Sequence, residues 1–166
     1  MKTAILDIDG TLCPSVFANI RHNDNSLLCT PEFEERLRTV QAFPWVVKHD
    51  WAQYRYIIVI TGRLQKWRDL TYTWLQEHGI EIFSFDIHEI EWDDSLPTRE
   101  DSYNDYARRK VLRISREIAT RLAGSKNARV TVYEDDKNVL YHVNEMWSDW
   151  NVSCILIDKH GKQVIL

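Results

Sequence analysis

Short apolar runs that end in polar or acidic residues recur along this chain, and apolar residues at helical spacing lie between them. The first run, Ala4, Ile5 and Leu6, reads as a buried parallel strand and stops at two carboxylates in the stretch D-I-D-G-T. Residues 13–30 carry Pro14 and a polar cluster from His22 to Ser26 without a sustained period, and read as a loop. Thr30, Pro31 and the acids Glu32 and Glu34 form a helix start, which predicts a helix over 31–42. Pro44 opens a second amphipathic piece in which Val46, Val47 and Trp51 can share a face. The wholly apolar run 56–60 is the next strand, and it ends in Thr61, Gly62 and Arg63.

A helix over 64–78 closed by Gly79 follows, then an alternating stretch 80–92 that predicts a strand extended by a hairpin arm. Residues 93–101, with Pro97, read as a loop. Val111, Leu112, Ile114, Ile118 and Leu122 recur at helical spacing and predict a helix over 103–122 that stops at Gly124. A strand over 129–133 runs into Glu134, Asp135 and Asp136. A helix over 138–148, a strand over 152–157 and a hairpin tail over 158–166 complete the pattern. Alternating strands and helices predict an α/β fold with a right-handed, doubly wound parallel sheet. In such sheets ligands sit beyond the carboxyl ends of the strands, where Asp7 and Asp9, Thr61, and the 134–136 acids would converge.

The length of 166 residues suits one domain, and 44% hydrophobic content is enough for a core. Twenty-one basic against 25 acidic residues give a net charge of -4, so a nucleic-acid partner would have to use a local patch. Three cysteines, Cys13, Cys29 and Cys154, lack metal spacing and read as reduced thiols of a cytoplasmic protein. No stretch approaches the roughly 18 apolar residues of a membrane span, so a soluble protein is expected. The histidines show no paired spacing, which argues against zinc.

Side chains at i and i+2 of an extended chain point to one side, so Asp7 and Asp9 can face one pocket, with Gly10 supplying the bend. Two carboxylates held together repel each other, and a hard divalent cation such as magnesium relieves that repulsion. Asp-x-Asp-Gly-Thr-Leu at residues 7–12 resembles the first motif of the haloacid dehalogenase superfamily of phosphohydrolases. The resemblance implies a magnesium-dependent phosphomonoester hydrolase working through an aspartyl-phosphate. It gives Asp7 as nucleophile and Asp9 as general acid, with the Asp9 backbone carbonyl also reaching the metal. Thr61 would be the second-motif hydroxyl that binds the transferring phosphoryl, with Gly62 and Arg63 beside it. Lys110 is the choice for the third-motif lysine. Glu134 and Asp135 take the paired acids of the fourth motif, or Asp135 and Asp136 if the register moves by one, with Asp136 otherwise placed to cap the next helix.

Only about 45 residues separate the first motif from the second-motif strand, too few for a large cap, so 12–43 is expected to be a small insert or flap near an open site. A further likeness, in P-W-V-V-K followed by I-I-V-I-T-G-R and the later Y-E-D-D, is to the 3'-phosphatase domain of polynucleotide kinases. It implies a nucleotide or nucleic-acid 3'-phosphate as substrate. Arg63, Lys66, Arg68, Arg108, Arg109 and Arg113 read either as solvated helix faces or as a local basic rim, and the seven tryptophans as core or interface anchors, with base stacking by Trp67 or Trp92 as the alternative. The alternatives are a phosphatase of sugars or other small metabolites and a phosphate-binding protein, either receiver-like or of this superfamily without catalysis. A monomer or weak dimer without a membrane partner is expected.

Overall fold

The computed structural model describes residues 1–17, 30–87, 99–125 and 127–166. Among these residues six strands form one sheet: β1 (Lys2–Leu6), β2 (Tyr56–Thr61), β3 (Ser84–Ile87), β4 (Arg129–Glu134), β5 (Val152–Ile157) and β6 (Gln163–Ile165). Their order is β3-β2-β1-β4-β5-β6; the first five run parallel and β6 returns antiparallel to β5, as the expected hairpin tail. Helices α1 (Pro31–Thr39), α2 (Pro44–Lys48), α3 (Arg68–Glu77), α4 (Arg99–Ala123) and α5 (Lys137–Trp147) connect or cover the strands.

Alternation along the central strands builds two cores. Ala4, Leu6, Ile57, Val59 and Tyr133 pack with Val46, Trp51, Trp74 and Leu75. Ile5, Ile58, Ile60, Val130 and Val132 pack on the other side with Val111, Ile114 and Ile118 of α4 and Val139, Leu140 and Val143 of α5. A third, smaller cluster joins Val16, Phe33, Leu37 and Trp67, so the described part of the 12–43 insert is anchored by α1 against the start of α3; its residues 18–29 lie outside the described chain.

Several expectations move. The first helix ends at Thr39, where Val40 turns to extended geometry while donating to the Arg36 carbonyl. Val47 is 69% exposed, because α2 lasts only five residues and Trp51 reaches the core from a separate 3-10 turn, Trp51–Gln53. The helix after β2 likewise begins as a 3-10 turn, Gln65–Trp67, before α3. Leu112 is 56% exposed: it falls one position past the stripe formed by Val111, Ile114 and Ile118. Helix α4 starts at Arg99, so residues 99–101 are helical instead of loop. The 80–92 stretch forms strand only at Ser84–Ile87 among the described residues, and its hairpin arm lies outside them.

Candidate active site

The strand order reverses its direction of growth between β1 and β4, and in open α/β sheets the crevice beyond such a switch point is where ligands bind. Leu6 pairs with Tyr133, so the next residues, Asp7 and Glu134, leave adjacent strands side by side at that crevice. Leu6 also pairs with Val59, which puts the β2 end at Thr61 beside the turn that follows Asp7. That turn is tightly built. The Ile8 carbonyl accepts from the Thr11 and Leu12 amides at 3.1 and 2.8 Å, the Gly10 amide donates to the Cys13 carbonyl at 2.8 Å, and Ile8 and Leu12 are buried in the core.

Carboxylate oxygens of Asp7, Glu134 and Asp135 all lie within 4.8 Å of one another. Lys110 reaches them from α4, its buried Nζ 2.8 Å from Glu134 Oε2 and 3.2 Å from Asp7 Oδ2. Glu134 Oε1 accepts the Asp136 backbone amide at 3.1 Å, so both Glu134 oxygens are engaged. Thr11 Oγ1 donates to Asp135 Oδ1 at 3.1 Å. Gly10 makes this approach possible: its φ is 91°, and a Cβ there would stand 2.1 Å from Asp135 Oδ2. Burial pushes the Asp7 and Glu134 carboxyls up to about 7, aided by repulsion from neighbouring acids and opposed by Lys110. Asp135 rises to about 6, through desolvation and Asp7, with Lys110 and the Thr11 hydrogen bond acting the other way. Burial alone would lower Lys110, but the two carboxylates overcome it and hold the ammonium well above its ordinary range.

Asp9 takes a different partner. Its carboxylate forms a two-pronged pair with Arg63, Nε to Oδ2 and Nη2 to Oδ1 each 2.8 Å. Arg63 is itself 0% exposed, and Nη1 also donates to Thr71 Oγ1 at 3.3 Å. The two carboxylates divide between Lys110 and Arg63, because β1 ends at Leu6 and the i, i+2 rule stops applying in the turn, yet their charges still lie close enough to repel. Only the Asp9 backbone carbonyl is left to serve an ion. Arg63 is also removed from the substrate rim, because its side chain is buried under the turn. Thr61 is buried at the β2 end, where its Oγ1 accepts the Arg63 amide at 3.3 Å and keeps its proton for another acceptor; Gly62, half-buried, separates the two.

Asp136 caps α5, its Oδ1 accepting from the Asn138 and Val139 amides at 2.9 and 3.4 Å, and its Oδ2 takes the Tyr103 hydroxyl at 2.6 Å. The geometry thus brings Glu134 and Asp135, not Asp136, to Asp7. Of the proposed rim, Arg108 and Arg109 both pair with Asp105, at 3.4 and 2.9 Å, and Lys66 lies over the Trp67 ring at 4.9 Å. Trp67 is 1% exposed in the α1–α3 cluster, a core anchor as read from sequence, so the alternative of base stacking fails there; Trp92 lies outside the described residues. Thr11, Thr71, Tyr103 and Tyr106 were not singled out by sequence. Tyr106, whose ring lies 5.8 Å from Lys110 Nζ, stands one helical turn before Lys110, and Tyr103 one before that, so their spacing held the signal.

Beside the acids opens a cleft of about 460 Å³, lined by Gly10 and Asp135 on the site's side and by Phe43, Lys137 and residues 156–159 on the other. No protein-family model matches this chain, and none of the curated proteins matches its sequence.

Proposed function

We propose that this chain is a magnesium-dependent phosphomonoester hydrolase of the haloacid dehalogenase type, with the doubly wound fold that resemblance implies. The observation that carries the reading is the junction of Lys110 with Asp7 and Glu134, and of Asp135 with both acids, at the switch point of the sheet. The donor set is all carboxylate oxygen, the chemistry a hard cation takes. Desolvation first, and repulsion between the acids second, raise these carboxyls against the pull of Lys110, and a cation would relieve the repulsion. One oxygen from each of the three carboxylates lies within 4.8 Å of the others, a convergence that would suit a hard divalent cation. Asp7, Asp135, Glu134 and the Asp9 carbonyl would hold the ion, which when bound offsets charge on the phosphoryl oxygens.

Asp7 attacks phosphorus in line; the ester bond breaks and the alcohol leaves with a proton from Asp9. Thr61 donates its hydroxyl proton to a phosphoryl oxygen, and Lys110 keeps Asp7 oriented and offsets negative charge. Asp9 then takes a proton from water as water attacks the phosphoaspartate, which releases inorganic phosphate and restores Asp7. Because both Asp9 oxygens accept from Arg63, Asp9 must leave that pair, or share it, before it acts as an acid. An open site without a large cap supports a nucleotide or nucleic-acid 3'-phosphate as substrate, although the arginine rim expected to receive it is largely committed elsewhere. The test is phosphate release from p-nitrophenyl phosphate with and without magnesium. Turnover that needs the metal supports the reading, and turnover indifferent to magnesium and chelator would sink it.

A further inference from the structure

The cleft beside the acids supplies what the arginine rim does not. Its volume of about 460 Å³ is in the range of small-molecule sites, and it is continuous with the carboxylate cluster through Gly10 and Asp135. One wall is apolar, from Phe43, Leu156 and Ile157. Lys137, the first residue of α5, and Lys159, in the β5–β6 turn, bring two exposed ammonium groups to the same space.

The turn that carries Lys159 is built to hold its shape. Asp158 Oδ1 accepts the His160 and Lys162 amides at 2.8 Å each, the Asp158 amide donates to the Lys162 carbonyl at 2.9 Å, and Gly161 adopts a φ of 74°. The carboxylate of Asp158, also in the cleft, is thereby tied into the turn, and these amide hydrogen bonds hold it below the ordinary range. Gly161 lies directly against Phe43, where a Cβ would come within 2.6 Å of the ring. Turn and aromatic wall therefore fix each other's place.

The geometry points to this cleft as the seat of the substrate's alcohol part, and to Lys137 and Lys159 as the receptor of a second phosphate on it. The substrate class is then a bisphosphorylated nucleoside or a short oligonucleotide end, whose shared feature is a phosphomonoester joined through an apolar body to another phosphate. This rests on the hydrolase reading above. The experiment compares kcat/KM for adenosine 3',5'-bisphosphate and adenosine 3'-monophosphate at fixed salt, and binding of both to the Asp7→Asn protein by calorimetry with magnesium. We expect the bisphosphate to be preferred about 10-fold or more in both readouts. The preference should vanish in K137Q/K159Q and persist in K48Q, a control on the exposed end of α2. Equal values for the two nucleotides, or a preference that survives K137Q/K159Q, overturns the inference. Gly161→Ala, which moves the turn without touching a charge, should also shrink the preference. Loss of p-nitrophenyl phosphate turnover would instead count against the hydrolase reading, and the calorimetric arm still decides the cleft.

Discussion

Asp7 and Asp9 are two residues apart, yet their side chains go to different cations, Lys110 and Arg63. That division predicts different responses to neutralisation. Asp7→Asn should remove turnover while the protein stays folded, since it deletes the proposed nucleophile but keeps the shape. Asp9→Asn should lower kcat by a factor on the order of 10² or more, as expected for lost proton transfer. Arg63→Ala strands a largely buried carboxylate and should cost about 3 kcal/mol of stability by denaturant unfolding; a change under about 0.5 kcal/mol would show that solvent already offsets the pair. Asp135→Asn should weaken magnesium binding in calorimetry much more than Asp136→Asn, because Asp136 is spent on Tyr103 and the α5 cap. The resemblance implied that two acids of the run serve the site, Asp135 in either register and Glu134 by the paired-acid alignment, and left Asp136 as the alternative or the cap. The register between β1 and β4 decides that, and it is a tertiary fact. The Arg63 pairing was hidden for a similar reason: T-G-R reads as an exposed turn until the chain beyond Asp7 folds over it.

At the scale of elements, β1, β2, β4, β5, α4 and α5 were legible because their apolar periodicity is long and their stops are chemical. Short pieces were not. Helix α2 is too brief for a periodic stripe, and the 3-10 start at Gln65–Trp67 has no distinct composition. Lys110 could be chosen from sequence as a basic residue early in a helix, but only the packing of α4 on the face of β1 and β4 carries it to the acids. The cap of α5 offers a clean test of separable roles. Asp136→Ala should cost about 1 kcal/mol of stability through the lost cap, with turnover near wild type. Gly10→Ala should do the reverse of sparing the site: its Cβ would displace the Asp135 carboxylate, so magnesium affinity should fall along with stability.

Across the whole molecule, the buried Asp7 and Glu134, with the more exposed Asp135 beside them contributing less, couple the site to stability. Their folded pKa values, about 7, 7 and 6, lie above the ordinary 3.8 to 4.5, so between roughly pH 4 and pH 7 the folded state binds more protons than the unfolded one. Stability of the metal-free protein should therefore fall as pH rises through that window, by on the order of a few kcal/mol between pH 5 and pH 8. On the proposal that magnesium takes the ionised cluster, its stabilising effect on Tm should be larger at pH 8 than at pH 5; a metal effect that is greater at pH 5 would contradict the assignment of the acids as ligands. The most direct measurement of the central claim is chemical capture of the intermediate. The protein is quenched during incubation with p-nitrophenyl phosphate, reduced with borohydride, which converts an aspartyl-phosphate to homoserine, and mapped by peptide mass spectrometry. The account predicts homoserine at position 7, more of it in Asp9→Asn if water attack is slowed, and none in Asp7→Asn. Sustained phosphate release with position 7 unmodified, or with the phosphate captured on another residue, would contradict it.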